Sequence, residues 1–110
     1  MEIKTQPYER VTVVAVEGRV DSASAGDLEA ELKRLIEEGK ASFVLDLSGV
    51  EFLSSSGLRV LVTTLKTVRK AGGDLRLAAM SQRASDAIEL AGLDPLFKTY
   101  EDREAAVASF

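Results

Sequence analysis

The chain has 110 residues, 45% of them hydrophobic, with 14 basic and 18 acidic side chains and a net charge of −4. That is the composition of one globular domain spanning residues 1–110, and it lacks the basic stripe that direct nucleic-acid binding requires. With no cysteine and no histidine, disulfides, soft-ligand metal sites and a Ser-His-Asp triad are all excluded.

Ile3–Gln6 is a candidate edge strand, with Pro7 tolerable there or in the turn that follows, Tyr8-Glu9-Arg10. Val11–Glu17 is β-branched and mostly apolar, so it reads as a central strand ending at Gly18. Ser24 and Asp27 resemble a capping box, and Leu28, Leu32, Leu35 and Ile36 then fall on one helical face that Gly39 terminates. Phe43–Leu47 is nearly all apolar, as expected of a strand covered on both faces.

A second helix is predicted to start near Ser56 or Gly57. Leu58, Leu61, Val62, Leu65 and Val68 mark its apolar face, Arg59, Thr63, Lys66, Arg69 and Lys70 its polar one, and Gly72-Gly73 its end. Asp74–Ala79 alternates as a strand does. Ser81 is placed to cap a third helix with apolar positions Ala84, Ala87, Ile88 and Ala91, stopped by Gly92. Leu93-Asp94-Pro95 forms a turn, Leu96–Tyr100 a short strand, and Asp102 caps a last helix reaching Phe110. The order β-β-α-β-α-β-α-β-α implies an α/β fold with right-handed crossovers and a mixed, mostly parallel sheet. The segment Met1–Gln6 has no apolar signal-peptide core, and Gly57–Val68 is too short and interrupted to span a bilayer. A cytoplasmic domain without membrane insertion is the expectation.

Three features could carry function. Asp46, at the end of a parallel strand, suits a phosphoacceptor of receiver type. Glu17 and Asp21 make a poor metal-holding pair for it, however, and Ala78-Ala79-Met80 offers no lysine, so a carboxylate bonded to the turn N–H groups near Ser48 and Gly49 is favoured. Gly72-Gly73 lacks the Lys-Ser/Thr of a phosphate loop and follows a helix instead of a strand. Arg59, Lys66, Arg69 and Lys70 are either a docking face or a solvated helix surface. Ser54-Ser55-Ser56 precedes the second helix, where one hydroxyl suffices as a cap and two are left over. No base or Gly-x-Ser-x-Gly elbow accompanies them, so a serine nucleophile is disfavoured and no enzyme is expected.

From Leu45 to Gly73 the chain reads Asp-Leu-Ser, then Phe52-Leu53, Ser54-Ser55-Ser56-Gly57-Leu58, then a helix closing on Gly-Gly. With the Gly18-x-x-Asp21 turn and the segment from Ser81 to Ala91-Gly92-Leu93, this resembles the STAS domains of bacterial anti-sigma factor antagonists over almost the whole length. The resemblance implies a protein-binding switch without a cofactor, whose partners are an anti-sigma factor serine/threonine kinase and a serine phosphatase. It implies Ser56, the hydroxyl before the motif glycine, as the phosphate acceptor, with Ser55 second. The implied contact surface comprises Asp21, Ser54, Ser55, Ser56, Gly57, Leu58 and Arg59. Ser54 stands where phosphorylated members usually carry Asp. The alternative role is a non-phosphorylated scaffold, or an accessory subunit of a signalling complex or transporter.

Overall fold

A computed structural model describes all residues, 1–110. The elements are β1 (Glu2–Tyr8), β2 (Val11–Val20), α1 (Ala25–Glu37), β3 (Ser42–Leu53), α2 (Ser55–Lys70), β4 (Asp74–Ala78), α3 (Gln82–Leu90), a 3-10 turn (Asp94–Leu96), β5 (Thr99–Tyr100) and α4 (Arg103–Ala108). Their order is the one that the hydrophobic periodicity predicts. The five strands form one sheet in the order β1-β2-β3-β4-β5, with β1 antiparallel to β2 and the other pairings parallel.

Each parallel strand is added on the same side of its predecessor, so right-handed crossovers place α1, α2 and α3 on one face. The main core lies there. Phe43, Leu45 and Leu47 of β3 meet Leu28, Leu32 and Leu35 of α1, Leu61, Leu65 and Val68 of α2, and Ile88 of α3. The alternate residues point the other way, and a smaller cluster of Val11, Val13, Val44 and Ala78 is covered by Ala106 of α4. This two-sided burial accounts for the unbroken apolar run in β3.

Several local features depart from expectation. β2 continues through Gly18 to Val20, and β3 runs to Leu53. The two pair with each other beyond β4, with register shifts between Ala15 and Glu17 and between Gly18 and Arg19. Glycine and serine positions that resemble a turn are thus absorbed as bulges. Ser24 occupies the N-cap position of α1 without making a side-chain cap, because its hydroxyl is bonded instead to Asp21 and the Arg19 carbonyl. On α2 the buried stripe is Gly57, Val60, Leu61, Thr64, Leu65 and Val68, while Leu58 and Val62 flank it half-buried. Ala91 is an exposed C-cap outside the core, and the last strand is only Thr99–Tyr100, since Pro95 draws the preceding residues into a 3-10 turn.

Gly73 passes so close to the preceding crossover that a Cβ there would lie 1.8 Å from the Ala41 carbonyl oxygen. Backbone cannot yield as a side-chain tip can. Gly73→Ala is therefore expected to lower stability by about 3 kcal/mol or more, beyond ordinary overpacking, in a denaturant titration.

Two carboxylates are buried. Asp46 accepts from the Ser48 N–H at 3.0 Å, as expected, and also from Arg103 Nη2 at 2.8 Å. Asp74 accepts from Arg69 at 3.0 Å, from Arg76 at 3.0 Å and from the Leu75 N–H at 2.9 Å. Burial pushes both carboxyls up, but these donors outweigh it and hold both below the usual carboxylate range. A folded value below the unfolded one means that the stabilisation is complete above about pH 4 and is lost as pH falls through the folded value. Between about pH 7 and pH 3, the urea midpoint of the wild-type protein should fall more steeply than that of Asp46→Asn, which has one less carboxylate to titrate.

Candidate functional site

The extended ends of β2 and β3 lie side by side, and the Ser54 N–H donates to the Val20 carbonyl at 2.8 Å. That bond joins the β2–α1 turn (Asp21–Ser24) to the β3–α2 junction (Ser54–Ser56) at the carboxyl edge of the sheet. The glycine next to them is closely packed. A Cβ on Gly57 would sit 2.7 Å from Leu53 Cδ1 and 2.8 Å from Val20 Cγ1, so any larger residue would have to push these side chains aside for the first turn of α2 to lie on the strand ends.

Ser54 is the N-cap of α2. Its backbone is extended (φ −80°, ψ 169°) and its Oγ accepts from the Gly57 N–H at 3.2 Å. This corrects one expectation, since the helix begins one residue before Ser56, and it identifies Ser54 as the capping hydroxyl among the three. Serine and aspartate are comparable caps, so the unusual residue at this position preserves the local geometry. Ser55 is exposed at the first helical position and Ser56 is half-buried at the second, and neither hydroxyl takes part in the cap. Leu58 is half-buried and Arg59 exposed in the same turn.

Asp21 stands beside them but is engaged by its own turn. Its Oδ1 accepts from the Ala23 and Ser24 N–H groups, each at 3.0 Å, and from the Ser24 hydroxyl at 3.1 Å. The Ser24 N–H and hydroxyl are the main reason that its carboxyl lies below the usual range, which keeps it anionic. The structure therefore brings Asp21 together with Ser54, Ser55, Ser56 and Gly57 on one edge, with Leu58 and Arg59 one turn into the helix.

Sequence reasoning missed two neighbours. Arg19 lies over the Phe52 ring with its guanidinium carbon 4.4 Å from the centroid, and Phe52 is left partly exposed. No local pattern signals that pair, because the register shift after Gly18 decides that Arg19 stands opposite Phe52. On the polar face of α2, Arg69 is not a free docking charge. It bonds Asp74 and the Leu96 carbonyl, whereas Arg59, Lys66 and Lys70 remain exposed.

Asp46 does not join this edge. It points to the opposite layer and its oxygens are occupied by Ser48 and Arg103, which removes the receiver-type alternative. No group of three His, Cys, Asp or Glu side chains is placed to hold a metal ion, and no helix is long and apolar enough to cross a membrane. Free hydroxyls at the mouth of a helix form a surface that can be bound or modified.

The STAS domain profile matches residues 2–106, and the chain belongs to the STAS-domain, anti-sigma factor antagonist family, whose members are regulatory and not enzymatic. It is 34% identical to the anti-sigma-B factor antagonist of Bacillus subtilis over 94 residues, covering 86% of this chain and 85% of that protein. The crystal structure of an anti-sigma factor antagonist from Mycobacterium paratuberculosis superposes with a TM-score of 0.88 at 30% identity, over 98% of this chain and 92% of that one. The phosphorylated form of the Bacillus cell fate determinant SpoIIAA shares the fold, with a TM-score of 0.77 at 17% identity over 99% of this chain and 100% of that one.

If Ser54 is the cap, Ser54→Ala should cost about 0.5–2 kcal/mol in thermal or urea unfolding. Ser54→Asp should match or exceed the wild type by about 0.3–1 kcal/mol, because a carboxylate there both caps the helix and complements its dipole.

Proposed function

We propose that this protein is an anti-sigma factor antagonist that binds an anti-sigma factor serine/threonine kinase. The contact surface comprises Asp21, Ser54, Ser55, Ser56, Gly57, Leu58 and Arg59. Phosphorylation of a serine in the first turn of α2 switches binding off, and a serine phosphatase restores it. Family membership and the names of the relatives support the partner class. The observation that carries the site is the division of labour among the three serines: Ser54 is consumed by the cap while Ser55 and Ser56 are not.

Two acceptors remain. Ser56, the hydroxyl before Gly57 and half-buried, is the one that the family motif favours; Ser55, the more exposed of the two, is the second. The solved phosphorylated form of a protein with the same fold is consistent with a phosphate being tolerated by this architecture.

The position suits a switch energetically. A phosphoserine carries about −1.5 to −2 charges at pH 7. The unpaired N–H groups and dipole of a helix N-terminus offset that charge by about 0.3–1 kcal/mol, so the fold is little disturbed. Inside a protein interface the same charge must be desolvated. At an effective dielectric near 20, a partner carboxylate about 4 Å away repels a unit charge by roughly 4 kcal/mol, close to three decades of affinity before screening. The penalty falls on binding and not on folding.

Intact-mass measurement after incubation with the cognate kinase and ATP tests the assignment. Ser56→Ala should abolish the added phosphate and Ser55→Ala should retain it; the opposite pattern assigns the role to Ser55. Ser56→Asp should weaken kinase binding at least about tenfold by titration calorimetry while shifting unfolding free energy by under about 1 kcal/mol. A kinase-binding protein that acquires phosphate on neither serine would instead be a constitutive scaffold.

A further inference from the structure

The two buried carboxylates, Asp46 and Asp74, lie on different strands, yet each leads to an end of the same short helix. At the start of α4, Arg103 donates to Asp46 Oδ2 through Nε at 3.0 Å and Nη2 at 2.8 Å. Past its end, Arg76 Nη1 donates to the Ser109 carbonyl at 2.6 Å and to its hydroxyl at 2.7 Å. The Arg76 guanidinium also lies 4.1 Å from the centroid of the Phe110 ring. Asp74 orients it by accepting from its Nε at 3.0 Å, and is itself held by Arg69 and the Leu75 N–H.

Between these two anchor points the apolar anchorage is slight. Within α4 only Ala106 is buried and Val107 half-buried, whereas α2 buries six residues. Open grooves of about 210 and about 420 Å³ run along its flanks, both touching Tyr8 and Val107. Six residues are also too few for a helix to persist unaided. Beneath it lie Val11, Val13, Val44 and Ala78, a second apolar face on the side of the sheet away from α1, α2 and α3.

We infer that α4 and the residues after it act as a strap that opens as one unit, fastened at its start by the Arg103–Asp46 pair and past its end by Arg76 donating to Ser109, and that its release uncovers this second sheet face while the main core stays folded. The physical basis is the contrast between a single buried methyl group and two charge-assisted anchors. Loss of Arg103 leaves Asp46 buried without its charged partner, and loss of Arg76 leaves the Ser109 end without its donor, so the remaining contacts of the strap cannot compensate. The face it covers is small and includes none of the residues of the proposed kinase surface.

Hydrogen exchange read by mass spectrometry on the full chain tests this. In the wild-type protein the amides of residues 103–110 should exchange at least about tenfold faster than those of α2. Asp46→Asn, which keeps the Ser48 bond but loses the charge, should speed exchange across 103–110 by a further factor of about ten while leaving α1 and α2 unchanged. Arg76→Lys, acting from the other end, should do the same and keeps the test alive should the first variant not fold. Fluorescence of an apolar dye should rise in both variants. Equal protection of α4 and α2 in the wild-type protein would overturn the proposal, as would a uniform acceleration of all elements in the variants.

Discussion

The first turn of α2 rests directly on the ends of β2 and β3, and the functional edge depends on that contact. Gly57 makes it close, since it presents no Cβ to the Val20 and Leu53 side chains. The Ser54 N–H fixes the approach from the other side by bonding the Val20 carbonyl. Once the helix start is pinned there, Ser54 is obliged to cap it, and the next two serines fall on helical positions with no structural duty. The same contact sets the β2–α1 turn, with its anionic Asp21, alongside.

The sheet divides the molecule into two regimes. Same-direction crossovers load three amphipathic helices onto one face, where the large aliphatic side chains of β3 are sealed. The other face receives only one short helix, and there small apolar residues are mixed with two carboxylates, Asp46 and Asp74, and two arginines, Arg76 and Arg103. Hydrophobic burial holds the first layer and scales with area. Ion pairs and hydrogen bonds hold the second, and these depend on every partner being present. Switching on such a protein is best confined to places where neither regime is disturbed. Ser55 and Ser56, in the first turn of α2, are free of any capping duty.

Ser54 shows how a motif can change its residue and keep its mechanics. The cap requires an oxygen acceptor within reach of the Gly57 N–H, and a hydroxyl supplies it as a carboxylate would. What changes is charge. A neutral cap leaves the partial positive charge of the helix start available to an incoming phosphate, instead of sharing it with a fixed anion.

Element order and type were legible in the sequence because they rest on contacts between near neighbours along the chain. Leu28, Leu32 and Leu35 share a helical face, β-branched residues build β2, and the positive-φ glycines 39, 72 and 92 close the three longer helices. The STAS motif was legible for the same reason, being a contiguous strand–turn–helix segment. Tertiary structure alone decided which serine caps α2, because that follows from how far β2 and β3 pair beyond Gly18 and Leu47, through bulges that local periodicity does not encode. It likewise decided that Arg103 neutralises Asp46 across 57 positions of sequence, and that Arg19 meets Phe52. Such pairings are chosen by the registry of whole strands and the burial of whole faces, energies that no short window of residues contains.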